Sequence, residues 1–333
     1  MRQETTRMNR GSLHAVLSAF RQGRAFVVTS HDAPDGDAIG SMLAMYHLLR
    51  ALGKDEVLCV CADPVPRIYQ WLPGADAIRP AEDSLAACDT VVVVDVADRA
   101  RFDAVAQRMS PQARIVVIDH HASEAPCGHV NFIDTSYAAV GEILIELCAL
   151  AGAPLSRTFA ECAYVAQTTD TGGYRFSNTT PRTHRLAAQL LETGIDVAAI
   201  SQRVFDVLSL PKCDLLARAL ARRVLSADGT VAYTELTEDD LREVGAETQD
   251  VDGIVNYMRN LAGVEAGILF RSLEPGKSKV SIRAKEPFDA SAFLRHWGGG
   301  GHPAAAGATV DLPVDRLRAE VLERIACLLK ETT

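Results

Sequence analysis

The sequence predicts an α/β fold in two parts: a larger unit on a mostly parallel sheet and a smaller α/β unit, joined by a helical linker. Three observations carry this. The chain has 333 residues, the length of two ordinary domains rather than one. The runs "TVVVVD" (90–95) and "RIVVID" (114–119) are continuous and β-branched, the pattern of strands buried on both faces of a parallel sheet. After residue 224 the pattern changes to shorter strands with hairpin turns.

Taken in order, Ser12 can cap a first helix with Leu13, Val16, Leu17 and Phe20 on one face and Gly23 at its end. "AFVVTS" (25–30) is a strand. Residues 37–53 form a helix with an apolar stripe through Ile39, Met42, Leu43, Tyr46 and Leu49. "EVLCVC" (56–61) is another strand, and helices follow near 136–152, 158–168 and 181–193. Residues 194–224 are mostly helical, with a break at Pro211, and read as a connector between domains 1–193 and 225–333. Residues 224–236 form a hairpin about Asp228-Gly229, and "EAGILFRSL" pairs with "SKVSIRA" around "EPGK". A helix (289–296), a glycine run (298–301) and a final helix (313–330) complete the chain.

The hydrophobic fraction is 48% and the charged fraction 23%, the balance of a soluble globular protein. A net charge of −9 argues against sequence-blind binding to long nucleic acid, which needs a basic surface. The eight cysteines include no CxxC pair, so neither a zinc ribbon nor a redox motif is suggested. Cys59 and Cys61 read as one face of a strand. The N-terminus lacks the apolar core of a signal peptide, and no apolar run is long enough to span a membrane, so a cytoplasmic protein is expected.

In open parallel sheets, ligands gather outside the carboxyl ends of the strands. Strand 25–30 runs into "HDAPDGD", with His31, Asp35 and Asp37. Strand 90–95 ends at Asp95, and strand 114–118 at Asp119, His120 and His121. Asp170 follows in a glycine-containing turn after a helix. So many carboxylates cannot sit together uncompensated, because close like charges force protonation. Divalent cations remove the conflict. Mixed imidazole and carboxylate ligands suit Mn²⁺, Fe²⁺, Co²⁺ or Zn²⁺ better than Mg²⁺ or Ca²⁺. The ligand count exceeds the needs of one ion, so two are expected, roughly 3.5–4 Å apart, as in phosphoryl displacement by two-metal sites.

Simpler readings explain less. A calcium loop would need Glu at its twelfth position, where Leu43 or Tyr46 stands. Asp37 could be a helix N-cap, but capping accounts for one aspartate rather than three strand ends. Asp98 reads as a turn residue. Gly36 would let the turn present Asp35 and Asp37 separately. Gly40 and Ser41 would leave room for substrate.

These residues resemble a known family. "HDAPDGDAIGS", "VVVVDVADR", "VVIDHH" and "AQTTDTGGYRFSNTT" resemble the successive motifs of DHH-family phosphoesterases, and "WGGGGHPAAAG" (297–307) resembles the GGGH motif of the DHHA1 domain. The pattern departs locally at Trp297, where Phe is expected. Size and the lack of extra domains resemble the subfamily of oligoribonucleases and pAp phosphatases. The resemblance implies two Mn²⁺, with Mg²⁺, Co²⁺ or Fe²⁺ as substitutes. His31, Asp35 and Asp95 would hold one ion; Asp37, Asp95, His120 and Asp170 the other. His121 would face the scissile phosphate as contact or proton donor, with Asp119 orienting a ligand histidine.

The glycine run admits a flexible loop, a spurious G-x-G-x-x-A match, or a backbone cradle for phosphate at Gly299, Gly300 and Gly301 with His302 as donor. Six bases against three acids between Arg271 and Arg295 favour the cradle. Ser281 and Arg283 share one strand face, Arg283 as a phosphate fork, with Arg271 a weaker candidate. Expected substrates are short RNA or DNA oligonucleotides, 3′-phosphoadenosine 5′-phosphate, pApA or cyclic di-AMP. A manganese pyrophosphatase, which resembles the first domain, would carry a lysine- and arginine-rich motif in place of the glycines. A non-enzymatic nucleotide sensor would have lost metal ligands, and none is missing. Helices near 136–168 offer a surface for a homodimer without compelling one.

Overall fold

The computed structural model describes residues 9–10, 12–81, 85–123 and 125–331. The chain divides into two compact units, one up to Val207 and one from Leu208 onward. Residues 194–224, expected as a connector, are shared between them.

The first unit begins with β1 (Asn9–Arg10), α1 (Leu13–Gln22), β2 (Ala25–Thr29), α2 (Gly36–Ala51), β3 (Glu56–Cys61), β4 (Ile78–Pro80) and β5 (Thr90–Val94). It continues with α3 (Asp103–Ala106), β6 (Arg114–Asp119), β7 (Val130–Asp134), α4 (Val140–Leu150), α5 (Arg157–Asp170), α6 (Pro181–Leu191) and α7 (Val197–Ser201). Its sheet has seven strands in the order β1-β7-β6-β5-β2-β3-β4, all parallel except β1. Alternate residues of the valine run face opposite cores. Val92 and Val94 pack under α1, α2, α4 and α5, and Val91 and Val93 under the loop layer around Phe102 and Val105. The double-sided burial expected of these strands is thus met.

Strand order reverses between β2 and β5. The chain steps outward from β2 through β3 to β4, and from β5 through β6 to β7 on the other side. Such a reversal opens a crevice at the strands' carboxyl ends. His31 follows β2 there, and Asp95 follows β5.

Helix packing brings further groups to the same edge. A Cβ on Gly40 of α2 would lie 2.6 Å from the Cys162 carbonyl of α5, and one on Gly141 of α4 would lie 2.7 Å from Ala166 Cβ. Helix α5 is therefore pressed between two glycines. The expectation that Gly40 leaves room for substrate is overturned: its missing side chain admits α5. Gly36 is likewise needed because Thr169 of α5 would meet its Cβ at 2.4 Å.

The second unit contains α8 (Leu210–Ala221), β8 (Val224–Leu225), β9 (Val231–Thr237), α9 (Glu238–Val244), α10 (Ile254–Arg259) and β10 (Ala266–Glu274). Then come β11 (Lys277–Ala284), α11 (Ala290–Leu294), β12 (Gly300–His302), β13 (Ala305–Val310) and α12 (Val314–Glu331). Its six strands run β12-β13-β11-β10-β9-β8. One face packs on α11 and α12 through Ile268, Phe270, Val280 and Ile282. Leu269 on the opposite face packs on α8, α9 and α10. The glycine run is not a free loop: Gly300 and Gly301 pair with Gly307 and Ala306 as an edge strand. Pro211 lies in the first turn of α8, where its missing N–H costs nothing.

Strands β4 and β7 and helices α9 and α10 escaped the sequence reading. Each is nine residues or shorter, too brief for a periodic signal. Helix α9 is held by a capping box between Thr237 and Asp240. Arg222 Nη1 and Nη2 reach both Asp240 oxygens at 2.6 and 2.8 Å. Burial pushes this carboxyl up, but Arg222 and Thr237 outweigh it and hold the pKa at about 2.

Gly40→Val should cost about 1–3 kcal/mol through overpacking against α5; an unshifted urea midpoint would contradict the contact. The Asp240 carboxylate, depressed on folding, contributes its stability above the unfolded pKa and loses it as pH falls from about 4 to about 2. Asp240→Asn should therefore destabilise by up to about 2 kcal/mol at neutral pH, with the difference closing in acid. A pH-independent difference between the two urea curves would refute that origin.

Candidate metal centre

The centre is assembled from strand ends and helix ends. Ser30 Oγ donates to the Val94 carbonyl at 2.7 Å, tying the end of β2 to the end of β5. His31 then donates Nδ1–H to the Asp32 carbonyl at 2.7 Å, which leaves Nε2 facing inward. His120 uses Nδ1 in the same way on the Tyr137 carbonyl at 3.3 Å. A backbone carbonyl behind each imidazole fixes the tautomer with Nε2 as the available ligand.

Asp95 lies between them. His31 Nε2 is 3.4 Å from its Oδ2, and His120 Nε2 is 3.4 Å from its Oδ1. Its backbone sits in the left-handed region at φ 62°, uncommon for a residue with a side chain and a known form of strain at functional sites. Its N–H is held by the Ile118 carbonyl at 3.0 Å. Among the described residues its buried Oδ1 has no hydrogen-bond donor. A buried carboxylate oxygen in that condition needs a cation or a proton.

Two aspartates one residue apart behave differently. Asp35 is the N-cap of α2, its Oδ1 accepting from Ala38 N–H at 3.1 Å. The capping role entertained for Asp37 thus belongs to Asp35, whose side chain stays 59% exposed and 4.0 Å from His31 Nε2. Asp37 is fully buried and accepts from three donors: Ser41 Oγ at 2.7 Å, Val140 N–H at 2.7 Å and Gly141 N–H at 3.2 Å. Helix α4 has no side-chain cap of its own. A carboxylate from α2 fills its N-terminus, where amides and dipole favour negative charge. Ser41, read as space for substrate, is instead a positioning donor.

His120 Nε2 also lies 3.6 Å from Asp37 Oδ2 and 3.3 Å from Asp170 Oδ2. Asp170 is the last residue of α5 rather than part of the turn beyond it. Asn178 Nδ2 donates to its carbonyl at 3.1 Å and to Ala138 at 3.2 Å. Asp119 stands apart from this cluster. Its Oδ1 accepts from the His120 and His121 amides at 2.7 and 3.0 Å and from His121 Nδ1–H at 2.8 Å. It therefore orients His121 rather than the ring of His120. His121 is partly exposed, and its Nδ1 is 3.5 Å from Asp95 Oδ1.

Three overlapping groups have donor atoms within 4.8 Å of one another: His31, Asp35 and Asp95; Asp37, His120 and Asp170; and Asp95, His120 and His121. The electrostatics of these groups are strongly interdependent. Burial, then Asp95 and Asp170, push the Asp37 carboxyl well up; burial and Asp95 push Asp170 up to about 7. Burial opposes charge on His31 and His120, but the surrounding aspartates outweigh it and raise both. For Asp95 the histidines outweigh burial and hold the carboxyl down. Imidazole and carboxylate groups so arranged can hold a metal ion.

The substrate candidates lie in the second unit. Ser281 and Arg283 do share one face of β11, opposite buried Val280 and Ile282. Arg283 is half-buried, its Nη1 donates to the Ile282 carbonyl at 3.1 Å, and burial pushes its pKa down. Arg271 is not an exposed contact: it is buried with Nη2 on Glu238 at 2.8 Å, tying β10 to α9. Gly299 and Gly301 allow close approach, since a Cβ would meet the Gly307 and Ala305 carbonyls at 2.6 and 2.4 Å. The His302 side chain lies outside the described residues. The α4 amides were missed in the sequence because their partner Asp37 lies more than a hundred residues away; Asn178 had a signal in its place in "TTDTGGYRFSNTT", and Ser41, four residues from Asp37, was read as space rather than as a donor.

Comparison with known proteins settles the lineage. The model of the DHH family N-terminal domain matches residues 25–167, and that of the DHHA1 domain matches residues 228–331. A Thermus thermophilus protein, "Bifunctional oligoribonuclease and PAP phosphatase NrnA", is 34% identical over 306 residues, covering 91% of this chain and 90% of its own. The chain belongs to the DHH family. A Bacillus subtilis protein of the same name is 28% identical, covering 85% of this DHH chain and 88% of its own. The crystal structure of an exopolyphosphatase-related protein from Bacteroides fragilis superposes with a TM-score of 0.87 at 25% identity, covering 96% and 97% of the two chains. All the residues grouped above except Asp170 lie within the span matched by the DHH model.

A divalent metal ion at a hundredfold excess over its Kd should stabilise the DHH protein by about 2.7 kcal/mol and so raise its melting temperature. Asp95→Ala should abolish most of that rise together with turnover; a full metal-induced shift in the variant would refute the shared-ligand assignment.

Proposed function

We propose that the protein hydrolyses short oligoribonucleotides to mononucleotides and 3′-phosphoadenosine 5′-phosphate to AMP, using two Mn²⁺ held by His31, Asp35 and Asp95 and by Asp37, Asp95, His120 and Asp170. The observation that carries the reading is Asp95, a buried carboxylate with histidine Nε2 atoms 3.4 Å from each of its oxygens and donor groups on either side. Family membership makes the protein a phosphoesterase, and the relatives' printed names supply the two substrate classes.

Two such ions supply charge neutralisation at the phosphate and an activated water for in-line displacement. The chain's own residues do the rest. Asp119 holds His121 by Nδ1, so that Nε2 is the nitrogen that would give a proton to the departing ester oxygen as the phosphorus–oxygen bond breaks. Asp37 and Asp170 stay ionised once their like-charge conflict is relieved. In the DHHA1 domain, Arg283, Ser281 and the edge strand Gly300–His302 grip the phosphate and sugar of the nucleotide end. No described helix is long and apolar enough to cross a bilayer.

With Mn²⁺, the purified protein should hydrolyse pApA, a five-residue RNA and 3′-phosphoadenosine 5′-phosphate, with cyclic di-AMP and pyrophosphate as competing substrates in the same assay. Activity on pyrophosphate alone would overturn the nucleotide reading. Arg283→Ala should raise KM with little change in kcat if it grips away from the reacting bond; an unchanged KM across the panel would remove it from the substrate site.

A further inference from the structure

The centre is walled by carboxylates, yet a substrate phosphate is itself an anion. A cation on its rim therefore has a defined use, and one residue of the first unit meets the requirement. Residues Arg99–Phe102 form a single 3₁₀ turn just after Asp95. The turn is pinned at both ends: Asp98 Oδ1 accepts from Ala100 N–H at 2.9 Å, and Phe102 is buried. The Arg101 carbonyl accepts from Asp32 N–H at 2.7 Å, which joins this turn to the loop bearing His31 and Asp35.

The two arginines of the turn are used differently. Arg99 reaches back to the Ala106 carbonyl at 3.3 Å. Arg101 faces the metal loop, with Nε 3.7 Å from Asp32 Oδ1. Both side chains of that pair are exposed, at 49% and 62%. Exposed ion pairs of this length contribute little, so Asp32 can hold the guanidinium near the rim without keeping it. The outer fork of Arg101, its two terminal nitrogens, makes the planar two-donor grip that phosphate oxygens accept. Arg101 is close enough to His31 to oppose the charge on its imidazole.

We propose that Arg101 is a phosphate contact of the first unit, exchanging its loose pairing with Asp32 for two hydrogen bonds to a phosphate lying over the His31 and Asp35 end of the centre. This gives Asp32, which has no place among the metal ligands, a role as the resting partner of Arg101. The inference rests on the phosphoesterase reading only in taking phosphate as the ligand; it does not depend on which nucleoside follows.

The test is calorimetric titration of inorganic phosphate into the full-length, Mn²⁺-loaded protein, beside KM and kcat for pApA. Arg101→Ala should weaken phosphate binding by about tenfold or more and raise KM for pApA in step, with the Mn²⁺-dependent melting temperature unchanged. Arg101→Lys should recover part of the affinity, since the charge returns without the fork. Asp32→Asn should bind phosphate at least as tightly as wild type, because a competitor for the guanidinium is gone. Wild-type phosphate affinity in Arg101→Ala overturns the proposal, and so does an equal loss in Asp32→Asn, which would make the pair a structural tie. A wild-type protein that binds phosphate through Arg101 but leaves pApA intact would sink the nucleotide reading and leave this contact standing.

Discussion

The first unit is organised around one carboxylate. Asp95 is out of water, flanked by two imidazole Nε2 atoms, and mounted on a backbone conformation that its own side chain disfavours. Each of these would be a defect in an ordinary core. Together they place both oxygens of one side chain toward separate groups of ligands, which a relaxed strand end would not do. The sheet supplies the setting: at the reversal between β2 and β5 the connections leave in opposite directions, and Asp95 follows the end of β5 there.

Spacing of the remaining ligands comes from backbone contact. Helices α2, α4 and α5 approach through glycine and alanine, so the positions of Asp37, the α4 amides and Asp170 follow from main-chain geometry. Large side chains at those contacts would have added rotamer freedom exactly where a metal site tolerates little. The charged residues can then be held by short hydrogen bonds from Ser41, Asn178 and backbone carbonyls, none of which needs a long flexible arm.

Much of this was legible in the sequence for a physical reason. Strands buried on both faces leave an unbroken β-branched run, so "TVVVVD" and "RIVVID" announced both the parallel sheet and the places where it stops. Polar residues at those stops then had to belong to one edge. What could not be read was anything fixed by contacts across the fold. "DGDAIGS" gives no hint that Asp37 caps a helix more than a hundred residues later, or that Gly40 faces α5. Arg271 looked like an exposed base on a strand; helix α9, too short to register as a pattern, covers it. The glycine run was read as loop or cradle because glycine is rare in strands, and it forms one only because β13 presses close enough to exclude a Cβ.

Asp37 serves two structures at once. Its oxygens complete the start of α4 and also face His120. The ligand set is therefore divided into an adjustable part and a fixed part. His31 and Asp170 could be exchanged for other donors without uncapping a helix, whereas Asp35 also caps α2. Replacing Asp37 would also leave two buried amides of α4 without an acceptor. Variation within such a scaffold has a direction open to it, at His31 and Asp170, and a direction closed, toward the two helices that Asp35 and Asp37 begin.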